Sequence, residues 1–579
     1  MQRRKAVLTL AGMVTASAVG RVAAQTRLVS PLVASKSAAS IPTIDIHCHV
    51  FNARDLPIPG FVTDVYLNDL PKGIQFPAGT VIWFLSQLMD VAAESAPDEA
   101  KDLEGKPRPL VEFKPIGQYT LVASRVTRTV RRLTLPTPQE QSQIDALDRR
   151  IAAALARATA QRNIPLQMPT AAERQAFLRS LAGFGNPAFT TNSANPTNST
   201  NSNLGLTPEA VALGAAKSPA QLLGVLYLAS LLTLSRADLM DTLAKLPIRH
   251  ASDVRFFAPA LVDYSYWLDD FENVSSLDDQ IRVMSDMAAR KDRPFAVHPY
   301  VSFCPWRQIV EPKQFDSVKK AIQSQGFLGV KLYPVMGFLP AGNAHADPAT
   351  YPEKLRSTRP DWAKALDDSL AELYKWCADE AVPILAHCSE SQAPSVAAGR
   401  RGGPKGWKDA VAMAGTSGLR LNLGHLGGLW DLAKPTHNDW TQSVVQMIAS
   451  QNNLYADISD YSSIMHRPTT SDEADDKAVS SAVTAYLRQY PAAKNKLMYG
   501  SDWVMLSKDL PAERYYPSMR ERLPAAWGLD AAGFLGANAA RFMGLSKIKG
   551  QPVGKTRLRL EAFYQQHGLD RSLLALWDA

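Results

Sequence analysis

The segment of this chain best equipped for chemistry is Asp45-Ile46-His47-Cys48-His49. On a strand, side chains alternate, so His47 and His49 face one side while Ile46 and Cys48 face the other. Two imidazoles on adjacent inward positions suit a single Zn²⁺-class ion. Asp45 shares their face one step deeper, where it orients an imidazole or fills a polar core layer. Three later segments end in residues of the same kind: VPILAHCSES at His387, LNLGHLGG at His425 and KLMYGSDW at Asp502. Each stands where an apolar run gives way to small or polar residues. One buried histidine is more often a satisfied core residue. Four histidines and an aspartate at the ends of four strands point to a shared metal site.

The elements that must carry these residues alternate in type. Strand candidates are Ile41–His49, Val254–Val262, Phe295–Ser302, Phe327–Tyr333, Val382–His387, Arg420–His425, Leu454–Ser459 and Lys496–Asp502. Between them run helical stretches such as Asp278–Arg290, Asp361–Asp379, Asn438–Ser450 and Val479–Tyr490. Strands alternating with helices of this length argue for parallel βαβ units. Eight units with polar residues at their strand ends predict a (β/α)8 TIM barrel. An open doubly wound sheet is the second choice, but no G-x-G-x-x-G accompanies it.

A large, mainly helical insertion, residues 56–250, separates strand one from strand two. Without it the span 41–545 keeps roughly 310 residues, a natural size for a barrel with loops. Helical patterns in the insertion cover Ile144–Ala160, Ala171–Leu181 and Leu206–Lys245, and residues 187–203 form a polar, flexible segment. Leaving from the catalytic end of strand one, the insertion is expected to roof the site or to make a homodimer contact. Residues 26–40 read as a tether, the barrel occupies 41–55 and 251–545, and 546–579 form an extension whose final apolar helix docks on the barrel.

Composition narrows the class. The chain has 579 residues, 46% hydrophobic and 20% charged, an ordinary globular balance. Four cysteines, with no C-x-x-C pair, exclude a disulfide scaffold. Residues 1–25 hold Arg3, Arg4, Lys5, Arg21 and no acid, so removing them lowers the formal +8 to +4. The pairs Arg131-Arg132, Arg149-Arg150 and Arg400-Arg401 are scattered and not interleaved with aromatics, which reads as a solvated face and not as a nucleic-acid surface. The positive start, short apolar run and small residues before Gln25 form a signal-peptide pattern, and Arg3-Arg4 resembles a twin-arginine signal without the usual Ser or Thr before it. The run is too short for a stable membrane span. Export to the periplasm or beyond is the expectation.

Taken in order, DIHCH, GVKLYP, VPILAHCSES, LNLGHLGG, YADIS, YGSDW and GANAARFMGL resemble the amidohydrolase superfamily. The likeness is to its amidohydrolase-related (amidohydrolase 2) branch, which includes aminocarboxymuconate-semialdehyde decarboxylase and related metal-dependent hydrolases. The resemblance implies that His47, His49, His387 and Asp502 hold the metal, and that His425 lies beside it and works on water or substrate. It implies one divalent ion, Zn²⁺ first, with Mn²⁺, Fe²⁺ or Co²⁺ as alternatives. Asp502 and His425 are the catalytic candidates. The expected activity is hydrolysis of an amide, ester or related bond in a small molecule. Non-oxidative decarboxylation is the alternative, and a metal-stabilised binding protein is the reading from another class.

Weaker candidates remain. Lys331 contacts substrate or a ligand, or carries a carboxylate bridging two metals as in other branches, or makes a structural ion pair. His298 and Arg307 are substrate-side candidates, Arg307 with a loop-anchoring ion pair as its plainer reading. Cys48 faces away from the metal, and no thiolate ligand is expected.

Overall fold

The computed structural model describes residues 40–66, 77–90, 93–103, 118–162, 165–181, 219–247, 253–272, 274–391, 396–413, 415–467 and 470–578. The leader, most of the tether and the polar 187–203 segment lie outside the described residues. Among those described, no helix is long and apolar enough to cross a membrane.

Two parallel sheets make up the strand layer. One holds β1 (Thr43–Cys48), β2 (Val254–Pro259) and β3 (Ala296–Val297). The other holds β4 (Tyr300–Ser302), β5 (Gly329–Leu332), β6 (Pro383–His387), β7 (Arg420–Gly424), β8 (Leu454–Ile458) and β9 (Leu497–Tyr499), in sequence order. Parallel neighbours need crossovers. Helices Leu277–Ala288, Gln314–Ser324, Trp362–Asp379, Trp440–Ser450 and Asp472–Gln489 lie between successive strands. With both faces covered, the strands read as almost continuous buried runs: β5 and β6 are buried throughout.

Every predicted strand is present, and one is divided. Phe295–Ser302 becomes β3 and β4, parted at Pro299, which has no N–H to give to a ladder. A parallel bridge between Ala260 and Tyr300 continues β2 alongside β4. At the other edge, the His47 carbonyl accepts from Ser501 N at 3.1 Å and Asp502 N at 2.8 Å, so β1 meets the residues that follow β9.

Between β1 and β2 the described elements are helical, including Ala78–Asp90, Gln118–Thr134, Pro138–Arg162 and Ala171–Leu181. The helical pattern over Leu206–Lys245 forms two helices, Pro219–Leu231 and Arg236–Lys245, with residues before 219 outside the description. Ser235 ends the continuity by capping the second helix, accepting from Asp238 N at 3.1 Å. Arg236, fully buried, grips Asp55 from the loop after β1 and Glu99 at 2.8 Å. Losing one partner of such a buried pair strands a charge.

The Pro219–Leu231 helix also braces the loop after β9. A Cβ at Gly224 would fall 1.9 Å from the Lys508 carbonyl oxygen, so helix and loop touch backbone to backbone. Gly224→Ala is therefore expected to destabilise the fold by ~1–3 kcal/mol and to lower activity through the Asp502 loop. Wild-type melting temperature and wild-type turnover in that variant would contradict the contact.

The C-terminal helix Lys555–His567 docks on the strands. Phe563 and Tyr564 are buried against His298, and Trp577 Nε1 donates to the Pro42 carbonyl at 3.1 Å. His298 has both ring nitrogens engaged, Nδ1 with the Gly326 carbonyl at 2.8 Å and Nε2 with Tyr564 Oη at 3.0 Å. Burial lowers its pKa to about 4. The unfolded chain, with a histidine pKa of ~6.5, then takes up this proton first as pH falls. Stability is lost between those two values, by up to about 3 kcal/mol in all. His298→Gln should flatten the pH dependence of the urea midpoint between neutral pH and pH ~5. Identical slopes in wild type and variant would refute this.

Candidate metal centre

The strands deliver the predicted residues to one cluster because each sits at or just past the C-terminal end of its strand. His47 and His49 close β1, His387 closes β6, His425 follows β7 and Asp502 follows β9. All five are at least nine-tenths buried. His47 Nε2 and His49 Nε2 lie 3.4 and 3.3 Å from the same Asp502 carboxylate oxygen.

Partners on the opposite ring edges set the protonation. His47 Nδ1 lies 3.0 Å from an Asp457 carboxylate oxygen, and His49 Nδ1 lies 3.0 Å from the Ala260 carbonyl. Both acceptors call for an N–H, which leaves both Nε2 atoms as lone pairs. Two lone pairs and a carboxylate oxygen then converge, an arrangement that a cation between them would satisfy. His47, His49 and Asp502 offer ligand atoms within 4.8 Å of one another, which fits a divalent ion.

His387 joins less directly. Its ring lies 4.9 Å from that of His425 and 4.3 Å from that of Tyr333, and it is not part of the tight triad. Its Nε2 is 3.1 Å from Ser389 Oγ, while its Nδ1 is buried with no hydrogen-bond partner among the described residues. An unsatisfied buried nitrogen beside the triad suits a donor waiting for an ion.

His425 is placed as a neighbour. Its ring is 4.9 Å from that of His47, and Ser459 Oγ lies 2.9 Å from its Nδ1. Ser459 donates to Asp457 at 2.5 Å, so it accepts from His425 and leaves Nε2 free. Burial lowers the His425 pKa to about 4 and holds that of His387 well below normal, so both rings stay neutral at physiological pH. Burial works against the Asp502 carboxylate, but the three imidazoles of His49, His425 and His47 around it outweigh that and hold its pKa far below normal.

Lys331 on β5 is buried, with Nζ 3.1 Å from His47 Nε2. Burial lowers its pKa to about 8, against the pull of Asp502 and Asp457. It therefore touches the cluster itself. Arg307 does not: its guanidinium forks onto Asp263, at 2.6 and 3.0 Å, and reaches Glu311 at 2.8 Å, which is the loop-anchoring arrangement. Nor does His298, held against the C-terminal helix. Cys48 and Cys388 are buried with raised pKa values, as inert thiols are.

Asp457 and Ser459 of the YADIS segment are site residues that the sequence alone does not single out. Asp457 is fully buried and also takes Asn422 Nδ2 at 2.8 Å and His425 N at 3.1 Å. It orients His47, the role considered for Asp45. Asp45 instead accepts from Ser501 N at 3.0 Å, and burial raises its pKa to about 7. The available signal was positional, since Asp457 sits at a strand end as the others do.

Histidines and carboxylates gathered at the ends of parallel strands make a candidate metal centre. Residues 280–545 match the family model for amidohydrolases, which bears out the resemblance read from the motifs. That stretch carries Lys331, His387, His425, Asp457 and Asp502; His47 and His49 lie before it. No curated protein sequence matches the chain. Similar solved structures include a zinc-bound amidohydrolase from Burkholderia multivorans, with 15% identity over 52% of this chain and 87% of that one, TM-score 0.33. Amidohydrolase 2 from Bifidobacterium longum subsp. infantis has 14% identity over 52% and 86%, TM-score 0.29. A 2,6-dihydroxybenzoate decarboxylase from Rhizobium has 13% identity over 53% and 88%, TM-score 0.30.

Outer partners of metal-bound histidines commonly affect metal affinity by about 10–100-fold. Asp457→Asn should weaken metal binding by that order, read by competition with a chromogenic chelator. Unaltered affinity would remove Asp457 from the site.

Proposed function

We propose that this chain is a metal-dependent hydrolase of a small organic molecule, built on a closed (β/α)8 barrel with residues 56–250 inserted after the first strand. The observation that carries the reading is the convergence of the His47 and His49 Nε2 lone pairs on Asp502. These three, with His387 as the fourth donor of the family's set, would hold the ion. The bridge from Ala260 to Tyr300 and the hydrogen bonds from Ser501 and Asp502 to His47 support closure.

A divalent ion, Zn²⁺ first, supplies a Lewis acid that brings the pKa of water toward ~7. Asp502, kept ionised, accepts the proton of the attacking water. His425, neutral and anchored by Ser459 at Nδ1, presents Nε2 to receive or return a proton at the substrate oxygen. Lys331 offers an ammonium to an anionic substrate group. Its burial next to the cluster also favours a second reading, non-oxidative decarboxylation, in which the departing carboxylate needs such a partner. The leader pattern supports export, and the helices between β1 and β2 are proposed to roof the site.

The test is elemental analysis followed by a panel of amides, esters, lactones and aromatic carboxylates, with and without chelator, in isotopically labelled water. One metal ion per chain, chelator-sensitive turnover and label in the product are expected. Full activity after complete metal removal would defeat the mechanism, and carbon dioxide release without label would select decarboxylation. Tight metal binding with no turnover, and ligand behaviour unchanged in His425→Ala, would leave a binding protein.

A further inference from the structure

The helical region between β1 and β2 contains a cavity of about 670 Å³ that shares no lining residue with the metal centre. It opens between the Gln118–Thr134 and Pro138–Arg162 helices. Arg128, Arg131 and Arg132 line it, and their spacing of three and four residues places them on one helix face. Like charges so placed repel one another unless something neutralises them.

The carboxylates of the same cavity each have a nearer partner, and Asp90 and Glu140 act on Arg132, and Glu140 on Arg131, only from beyond ion-pair distance. Asp90 pairs with Arg54 at 3.4 Å and Glu272 with Arg150 at 3.7 Å. Glu140 is held by the Thr137 backbone N–H at 2.8 Å. Among the described residues, none of the three arginines has a carboxylate within ion-pair distance. Arg132 is only 6% exposed, and its guanidinium reaches just two neutral amides, Gln87 at 3.5 Å and Gln143 at 3.2 Å. A guanidinium this buried ordinarily has a paired charge.

We propose that this cavity is a binding site for a small multivalent oxyanion, a phosphate- or polycarboxylate-bearing molecule that pairs with Arg128, Arg131 and Arg132. Guanidinium forks match such groups two bonds at a time. The cavity volume is that of a small-molecule pocket. Among the described residues no aromatic side chain lines it, so they offer no stacking platform of the kind single-stranded nucleic acid uses.

The experiment is calorimetric titration of the full-length protein with pyrophosphate, citrate and a short single-stranded oligonucleotide at fixed ionic strength, paired with thermal denaturation. Saturable binding of pyrophosphate or citrate with a raised melting temperature is expected. Whichever of the two binds tighter assigns the ligand to the phosphate or the carboxylate source. Arg128→Ala/Arg131→Ala, two exposed changes, should weaken binding by at least about tenfold. Arg149→Ala, the loss of one charge outside the cavity, should leave it intact. Unchanged affinity in the double variant would trace binding to the metal centre and overturn the proposal. So would equal losses in Arg149→Ala, tighter binding of the oligonucleotide, or no saturable binding at all.

Discussion

His47 Nδ1 and the Asp457 carboxylate meet 3.0 Å apart with neither side chain exposed, and the cluster depends on that contact. A carboxylate out of water stays ionised only if donors surround it. Asp457 has His47, Asn422, His425 N and Ser459 Oγ around it. Once it is charged, the imidazole must offer it a proton at Nδ1, which turns the His47 Nε2 lone pair toward Asp502 and Lys331. A single buried anion on β8 thereby sets the chemistry of a residue on β1 and ties β7 into the same network.

Backbone geometry brings the remaining groups within reach. His425 and Asp502 hold φ of 63° and 53°, a left-handed conformation that carries a cost for residues with a side chain. His425 follows β7 directly and Asp502 comes three residues after β9, where the chain must turn while keeping a polar group aimed inward. Gly500 lets the turn close, since a Cβ there would lie 2.9 Å from His47 Cβ. The bracing of the next loop by Gly224 completes the support. The conformations are held by packing from several elements, as expected where geometry must be ready before a ligand arrives.

Much of this was legible in the chain. Apolar runs ending in His387, His425 and Asp502 located the strand ends, because burial of both sheet faces leaves polar residues few other places to go. What was missed follows from the same physics. Asp457 ends a run as the others do, but its importance lies in a partner 410 positions away. His298 also ends a strand and looks equivalent in sequence; only the docked C-terminal helix, with Tyr564 on its Nε2, places it in the core. Arg307 could not be separated from a substrate ligand until the Asp263 fork was visible. The break between the Pro219–Leu231 and Arg236–Lys245 helices was hidden by a helical period continuing through Ser235.

The edge where β1 meets the residues after β9 has a bearing on how the protein is made. Asp45 takes its hydrogen bond from Ser501, 456 positions further along. His47 and His49 are among the first strand residues synthesised, whereas their shared carboxylate partner Asp502 emerges when most of the chain is already present. Until then the two imidazoles lack the group that completes their ion site. Assembly of the centre thus waits on synthesis of the far edge, and a nascent chain stopped short of residue 502 has two histidines but no triad.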